Sequence, residues 1–285
     1  MVETPLRVAD ALRLAAAGLQ DFSDTPRLDA ELLMASALGA SRSELLLRHM
    51  SEAVPPNFSE LLVRRKTHEP VAYILGEQEF FGLTLRVTSA VLIPRGDSEV
   101  LVDAAIAARP DARRVLDCGT GSGALLLAVL AHLPAASGVG IDNSTAALAI
   151  AAQNAASLGL TDRATMTAAD WRHSGWTTHL GGPFDLILAN PPYVEANAVL
   201  AAGVRDHEPA AALFAGTDGL EDYLVLIPQL PGLLEQGGAA LFEIGHTQAE
   251  AVSALAAAAG LTATLHRDLA GRPRVLQFRR TAQLS

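Results

Sequence analysis

The residues best equipped for chemistry are Asn190-Pro191-Pro192-Tyr193, which follow the apolar run Asp185-Leu186-Ile187-Leu188-Ala189. Such a run reads as a buried strand. A turn at its carboxyl end lies where open α/β sheets bind ligands. The consecutive prolines stiffen the turn and remove two backbone donors. What remains is a pair of acceptors, the Asn190 side-chain oxygen and the Pro191 carbonyl, which can hold the two hydrogens of an NH2 group. An amide nitrogen is a poor nucleophile because its lone pair is delocalised into the carbonyl. Acceptors on its hydrogens raise its electron density as positive charge develops, and fixed placement adds proximity. Tyr193 can stack on a flat substrate face. The proton can leave after transfer, so neither a metal nor a strong base is required. The plain alternative is a turn after a strand, a common use of this composition.

A second constellation lies upstream. Val115-Leu116-Asp117-Cys118-Gly119-Thr120-Gly121-Ser122-Gly123 runs from a strand into a helix. Its glycines permit sharp turning and close backbone approach to a ligand. Alone the loop is weak evidence, because it could simply be a tight turn and nicotinamide enzymes use a similar one for pyrophosphate. Its spacing is not the dinucleotide Gly-x-Gly-x-x-Gly form. Asp142 ends the next strand, where a carboxylate can accept hydrogen bonds from both ribose hydroxyls. The head of the loop resembles the S-adenosylmethionine motif, in which the strand-end acid, here Asp117, faces the methionine ammonium. Asp170-Trp171 follows the third strand, at the position beside adenine in methyltransferases. Trp171 can stack on the base and Asp170 can accept from its exocyclic amine. Plain loop packing would also account for the tryptophan.

These residues need a scaffold. Apolar residues recur at helical spacing through the first seventy or so positions, with Pro26 in a first turn, Gly39 as a stop and Ser41 or Ser43 as a cap. A further helix is expected through Leu61-Leu62-Val63. Phe80 to Val87, followed by Val91-Leu92-Ile93, reads as a β-hairpin. From about Val100 strands and helices alternate. Strands are expected at 114–117, 138–142, 164–168, 184–189 and 239–244, with helices at 124–132, 145–158, 223–234 and 248–259. The closing pair 262–266 and 275–278 has no helix between and is expected antiparallel. The expectation is an α/β fold, a Rossmann-like, mainly parallel seven-stranded sheet. A small all-α domain (1–76) and a β-hairpin linker (77–98) precede the main domain (99–285).

The composition narrows the function classes. The chain has 285 residues, half of them hydrophobic, and a formal charge of -10. That balance disfavours a phosphate backbone as a stable partner, so no nucleic acid is expected. The densest basic run, Arg64-Arg65-Lys66, reads as a solvated helix face. The single cysteine, Cys118, excludes an internal disulfide and reads as a packed thiol. No apolar run reaches membrane-spanning length, so no membrane association is expected and the cytoplasm is the default setting. The eight histidines show no ligand spacing, and no metal is expected.

Taken together the motifs resemble the HemK/PrmC family, N5-glutamine methyltransferases of peptide chain release factors. Beyond 119–123 and 190–193, the likeness includes Arg27 to Leu33, Glu69 to Gly76, Phe80 to Leu83, Val91 to Arg95, His207-Glu208-Pro209, Gly216 to Leu220, Glu243-Ile244-Gly245, Gln248 and Asp268 to Arg274. The resemblance implies a class I S-adenosylmethionine-dependent methyltransferase, monomeric. Its substrate would be the glutamine of the Gly-Gly-Gln loop in class-1 release factors. It implies that Asp117, Gly119, Thr120, Gly121, Ser122, Gly123, Asp142, Asp170, Trp171 and Asn190 hold the cofactor. Asn190, Pro191, Pro192, Tyr193 and Arg95 would hold the glutamine. The chain departs from the family at Gly96, where proline is usual, and this bears on the stiffness of the segment after Arg95. Two alternatives stay open: a ribosomal-protein glutamine methyltransferase and a nucleic-acid amino (adenine-N6) methyltransferase, which would want a basic groove and base flipping.

Overall fold

The computed structural model describes residues 6–281. They form two compact units. One holds the residues up to Glu77 together with Leu200–Glu208, and the other holds Gln78–Val199 and the chain from Pro209 onward.

The first unit is helical, with helices Val8–Gly18, Pro26–Leu38, Arg42–Glu44, Phe58–Arg65, Val71–Leu75 and Ala202–His207. Leu12, Leu33, Met34 and Leu45 are fully buried at its centre. Ser41 caps the third helix: its hydroxyl accepts from Glu44 N (3.2 Å) while Glu44 Oε2 accepts from Ser41 N (3.0 Å). That helix widens into a π turn over Leu45–His49. Val71–Leu75, a short helix absent from the expected pattern, is closed by Gly76 at φ 79. The basic run is not simply a solvated face. The Arg65 side chain is 12% exposed and pairs with buried Asp29 at 2.7 Å, and Arg64 Nε donates to Glu69 Oε2 at 2.9 Å. A buried carboxylate needs such a partner; the second helix supplies the carboxylate, and local periodicity does not reveal the pairing.

The second unit opens with a hairpin, β1 (Glu77–Phe80) and β2 (Leu83–Arg86). Phe81 and Gly82 both have positive φ, 51 and 74, as a tight two-residue turn demands. A phenylalanine tolerates this conformation here because its N–H donates to Glu99 Oε1 (2.8 Å) and its ring meets His132 edge-on (4.9 Å). Val91-Leu92-Ile93 forms no strand, contrary to the expected hairpin. Val91 and Ile93 are nevertheless buried, so their apolar character serves packing.

The main sheet contains β3 (Arg114–Cys118), β4 (Ser137–Asp142), β5 (Ala164–Ala168), β6 (Phe184–Ala189), β7 (Leu234–Glu243), β8 (Leu261–Arg267) and β9 (Pro273–Arg280). Their order is β5-β4-β3-β6-β7-β9-β8. The first five are parallel, and β9 runs antiparallel to both neighbours, as expected of the closing pair. Alternation divides two cores. Val115, Leu186, Leu188 and Leu241 face helices Glu99–Ala108 and Ala124–His132. Leu116, Ile187, Phe242 and Phe278 face helices Glu221–Leu226 and Ala249–Ala258. Helix Ala124–His132 is buried from Ala124 through Leu130, consistent with its almost wholly apolar sequence. The helix expected over 223–234 is broken: Glu221–Leu226, a 3-10 turn Ile227–Gln229 and Leu230–Leu233 follow one another. Pro228 and Pro231 lack the N–H that a continuous helix would use. The strand after it begins at Leu234, five positions before the expected 239.

Candidate active site

The carboxyl ends of β3, β4 and β6 open onto a cavity of about 350 Å³, within the range of small-molecule sites. Gly119, Thr120, Gly121, Ser122, Asp142, Asp170, Trp171, Asn190, Pro192 and Arg95 all line it. The glycine loop and the Asn-Pro-Pro-Tyr turn, far apart in sequence, therefore share one wall.

The loop is held largely by nearby backbone. Gly119 N and Thr120 N both donate to Ile141 O, at 2.9 and 2.8 Å. Gly121 N donates to Asp142 Oδ2 (2.9 Å), and Asp142 Oδ1 accepts from Ser144 N (2.9 Å). Gly119 has φ 75, and a Cβ there would lie 3.2 Å from Trp171 Cη2, so any other residue would strain the backbone and crowd the ring. Asp117 stands on the same face of β3 as Val115, fully buried beneath the loop and outside the cavity lining. Its Oδ2 accepts from the Thr120 hydroxyl at 2.7 Å, and its Oδ1 has no partner among the described residues. Burial pushes this carboxyl up to about 7. Burial also pushes the Cys118 thiol up, which removes it as a nucleophile.

The Asn-Pro-Pro-Tyr turn has distant supports. Asn190 and Pro192 line the cavity, whereas Pro191 is buried and Tyr193 is half-buried outside the lining. The Tyr193 hydroxyl donates to Glu243 Oε1 at 3.2 Å, and Gln248 Nε2 donates to Tyr193 O at 3.2 Å. Glu243 ends β7, fully buried. Burial lifts its carboxyl above the usual range, against hydrogen bonds from Ser98 and Tyr193 and the charge of Arg274.

The segment after Arg95 is fastened despite Gly96. Gly96–Ser98 forms a 3-10 turn that leads into the helix from Glu99. Asp97 pairs with Arg274 (2.6 Å), Ser98 bonds to Glu243 and Glu99 holds Phe81 N. A Cβ at Gly96 would meet nothing within 4 Å. Three consecutive side chains thus supply the fixation that a proline would otherwise contribute.

Three residues central to this geometry were not singled out for it from sequence. Asn154, an amide in an alanine-rich helix, is 1% exposed and donates to Ser122 O (2.8 Å) and Arg86 O (3.0 Å), so it ties the loop to the end of the hairpin. An amide on the inward face of an apolar helix was its only signal. Glu243 was a motif residue with no role, although a carboxylate in an apolar strand marks a buried partner. Asp222 follows another acid at a helix start, where acids are ordinary, and nothing local distinguishes it. Among the described residues no group of His, Cys, Asp or Glu is placed to hold a metal, and no helix is long and apolar enough to cross a membrane.

Known proteins share this design. Residues 10–76 match the PrmC N-terminal domain, and residues 95–207 match the methyltransferase small domain. The release factor glutamine methyltransferase of Caulobacter vibrioides is 42% identical over 93% of this chain and 91% of its own length. The chain belongs to the release factor glutamine methyltransferase family. The corresponding enzyme of Moorella thermoacetica is 41% identical over 94% of this chain and 95% of its own. Solved structures agree on the fold. The hMettl16 catalytic domain in complex with a 3′UTR hairpin superposes with a TM-score of 0.58 at 14% identity, covering 81% of this chain and 93% of that one. An O-methyltransferase family protein from Burkholderia thailandensis gives 0.51 at 14% identity, covering 93% and 98%. As a member of this family the chain is a class I methyltransferase with S-adenosylmethionine as its methyl donor.

Proposed function

We propose that the chain methylates the side-chain amide nitrogen (N5) of the glutamine in the Gly-Gly-Gln motif of class-1 peptide chain release factors. The observation that carries this reading is the shared cavity. The cofactor-type loop and the amide-holding turn line one space, in a chain whose relatives are named release factor glutamine methyltransferases.

The residues present fit the donor. Gly119 to Ser122, Asp142, Asp170, Trp171 and Asn190 face one cavity, and the missing Cβ at position 119 lets the loop lie against the Trp171 ring without crowding. When bound, S-adenosylmethionine supplies an electrophilic methyl on a sulfonium. In this reading Asp142 holds the ribose hydroxyls and Trp171 covers the adenine. The Asn190 oxygen and the Pro191 carbonyl accept the two hydrogens of the glutamine NH2, so its nitrogen is fixed and enriched in electron density. The nitrogen gains the methyl and then releases one proton to solvent. Tyr193, tied to Glu243, supports the turn from outside the lining. Arg95 borders the same space. Asp117 supports the loop from beneath through Thr120.

The helical unit serves substrate recognition, and its match to the PrmC N-terminal domain supports that role. The enzyme acts as a monomer in the cytoplasm and forms no stable complex with nucleic acid.

The test is direct. Purified protein is incubated with S-adenosylmethionine and a purified release factor, and methylation is mapped by peptide mass spectrometry. One added methyl on the Gly-Gly-Gln glutamine, absent with Asn190→Ala, is the expected result. No methyl on that peptide, with cofactor bound, would move the substrate to a ribosomal protein or a nucleic acid.

A further inference from the structure

Asp222 lies in helix Glu221–Leu226, and its side chain is 2% exposed, yet it belongs to the cavity wall. Its Oδ1 gathers three donors: Trp171 Nε1 at 2.9 Å, Arg172 Nη2 at 2.9 Å and Arg172 Nε at 3.2 Å. Its Oδ2 is buried and has no partner among the described residues. Asp170 differs: its Oδ1 accepts from Arg172 N at 2.9 Å and its Oδ2 lies 3.0 Å from His173 Nδ1. The acid expected to serve the cofactor is thus already engaged, and a second acid more than fifty positions away holds the tryptophan.

An indole has one N–H, so a hydrogen bond there selects the rotation of the whole ring. The far edge of the Trp171 ring faces Gly119, close enough that a Cβ would stand 3.2 Å from Cη2. Its backbone is fastened too, because Gln229 Nε2 donates to Trp171 O at 3.3 Å. Arg172 supplies the countercharge that a buried carboxylate requires. We infer that Asp222 is a positioning residue for the cofactor, acting through the indole N–H of Trp171, which it sets in a binding-ready orientation before the cofactor arrives. A ring already fixed loses little rotational freedom on binding, whereas a loose one must be ordered at the expense of affinity. The inference rests on Trp171 walling the cofactor subsite, as in the reading above.

The experiment is calorimetric titration of S-adenosylhomocysteine into the full chain. It compares wild type, Asp222→Ala, Asp222→Asn, Trp171→Phe and the double variant Trp171→Phe with Asp222→Ala. Asp222→Ala should weaken binding about tenfold, the scale of one lost charge-assisted hydrogen bond. Asp222→Asn should stay within about threefold, because an amide oxygen still accepts from the indole. Phenylalanine has no N–H, so adding Asp222→Ala to Trp171→Phe should cost less than about twofold; double-mutant non-additivity is the signature of action through one partner. An unchanged affinity in Asp222→Ala overturns the inference, as does an equal loss in both backgrounds. If Asp222→Ala does not fold, wild type decides by nuclear magnetic resonance. A cofactor-free Trp171 indole proton protected from exchange supports the inference, and a freely exchanging one overturns it. The release factor is absent throughout. Failure of glutamine methylation with these affinities as expected would sink the proposed substrate and leave this inference standing.

Discussion

The two halves of the cavity wall are built in different ways. The glycine loop is secured mainly by partners close along the chain, with Asp117 three residues from Thr120 and Asp142 twenty-one from Gly121, and Asn154, 32 residues from Ser122, adds a more distant tie. The Asn-Pro-Pro-Tyr turn and the tryptophan loop depend on side chains far downstream. Glu243 is 50 residues from Tyr193, Gln248 is 55 from it, and Asp222 is 51 from Trp171. The first half is shaped mainly by backbone conformation and short-range contacts, the second mainly by remote side chains. Damage to the first is expected to register in cofactor binding. Damage to the second, at the turn, is expected to register in transfer.

The sharpest break would come from Asn190→Ala. It removes an acceptor aimed at the developing charge and is expected to lower kcat by about 100- to 1000-fold, with a smaller loss of cofactor affinity because Asn190 also borders the donor's side of the cavity. Single-turnover methyl transfer and calorimetry together check this. Gly119→Ala is next. It places a Cβ at φ 75 against Trp171 and is expected to weaken S-adenosylhomocysteine binding by about tenfold or more, given roughly 1–3 kcal/mol for a residue forced into a disfavoured backbone region. A full-affinity Gly119→Ala protein would break the comparison on its backbone side. Gln248→Ala removes the amide that bridges Tyr193 O and Gly219 O and accepts from Gly245 N. It is expected to slow transfer by about tenfold while cofactor affinity holds within about twofold, on the scale of one or two net hydrogen bonds. Equal losses in both measurements would erase the distinction between the halves.

The last effect is on stability rather than transfer, and it depends on pH. Burial raises the Asp117 carboxyl to about 7, against roughly 3.9 in an unfolded chain. Between those values the folded state holds a proton that the unfolded state has released. This contribution to stability is therefore fully present below the unfolded pKa and is lost as pH rises through the folded one. Asp117→Asn keeps an acceptor for Thr120 without a charge. Three pKa units correspond to about 4 kcal/mol, so at about 2–4 °C per kcal/mol its Tm is expected to exceed that of wild type by roughly ten degrees near pH 8 and to converge with it near pH 4. Thermal melts across that range measure it. A difference independent of pH would show that Asp117 does not titrate as its burial implies.

The same contrast explains what could be read from the sequence. The glycine loop, Asp142 and the Asn-Pro-Pro-Tyr turn were legible because strand, turn and helix follow one another and each feature sits at its own boundary. The sheet was legible because strands buried on both faces read as continuous apolar runs. Val91-Leu92-Ile93 misled because an apolar triplet carries no sign of whether it pairs or merely packs. The proline-broken stretch after Glu221 misled because its apolar spacing persists across two residues that interrupt the helical bonding. Asp222, Glu243 and Asn154 escaped for a different reason. Each is a polar group whose partners become neighbours only when the sheet is assembled, and no local pattern encodes that meeting.

The membership of Leu200–Glu208 in the helical unit bears on how the molecule is made. His207 Nε2 lies 3.0 Å from Thr67 O, a Cβ on Gly203 would stand 2.9 Å from His68 O, and Glu208 is buried. Domains commonly fold in order as they leave the ribosome. Here the first unit to emerge stays short of one helix until more than 120 further residues have been synthesised, and by then β3 to β6 are already available. The helical unit is therefore early in sequence but late in completion. A nascent chain stalled before residue 200 should carry it as an unfinished structure, open to proteases that the finished protein resists.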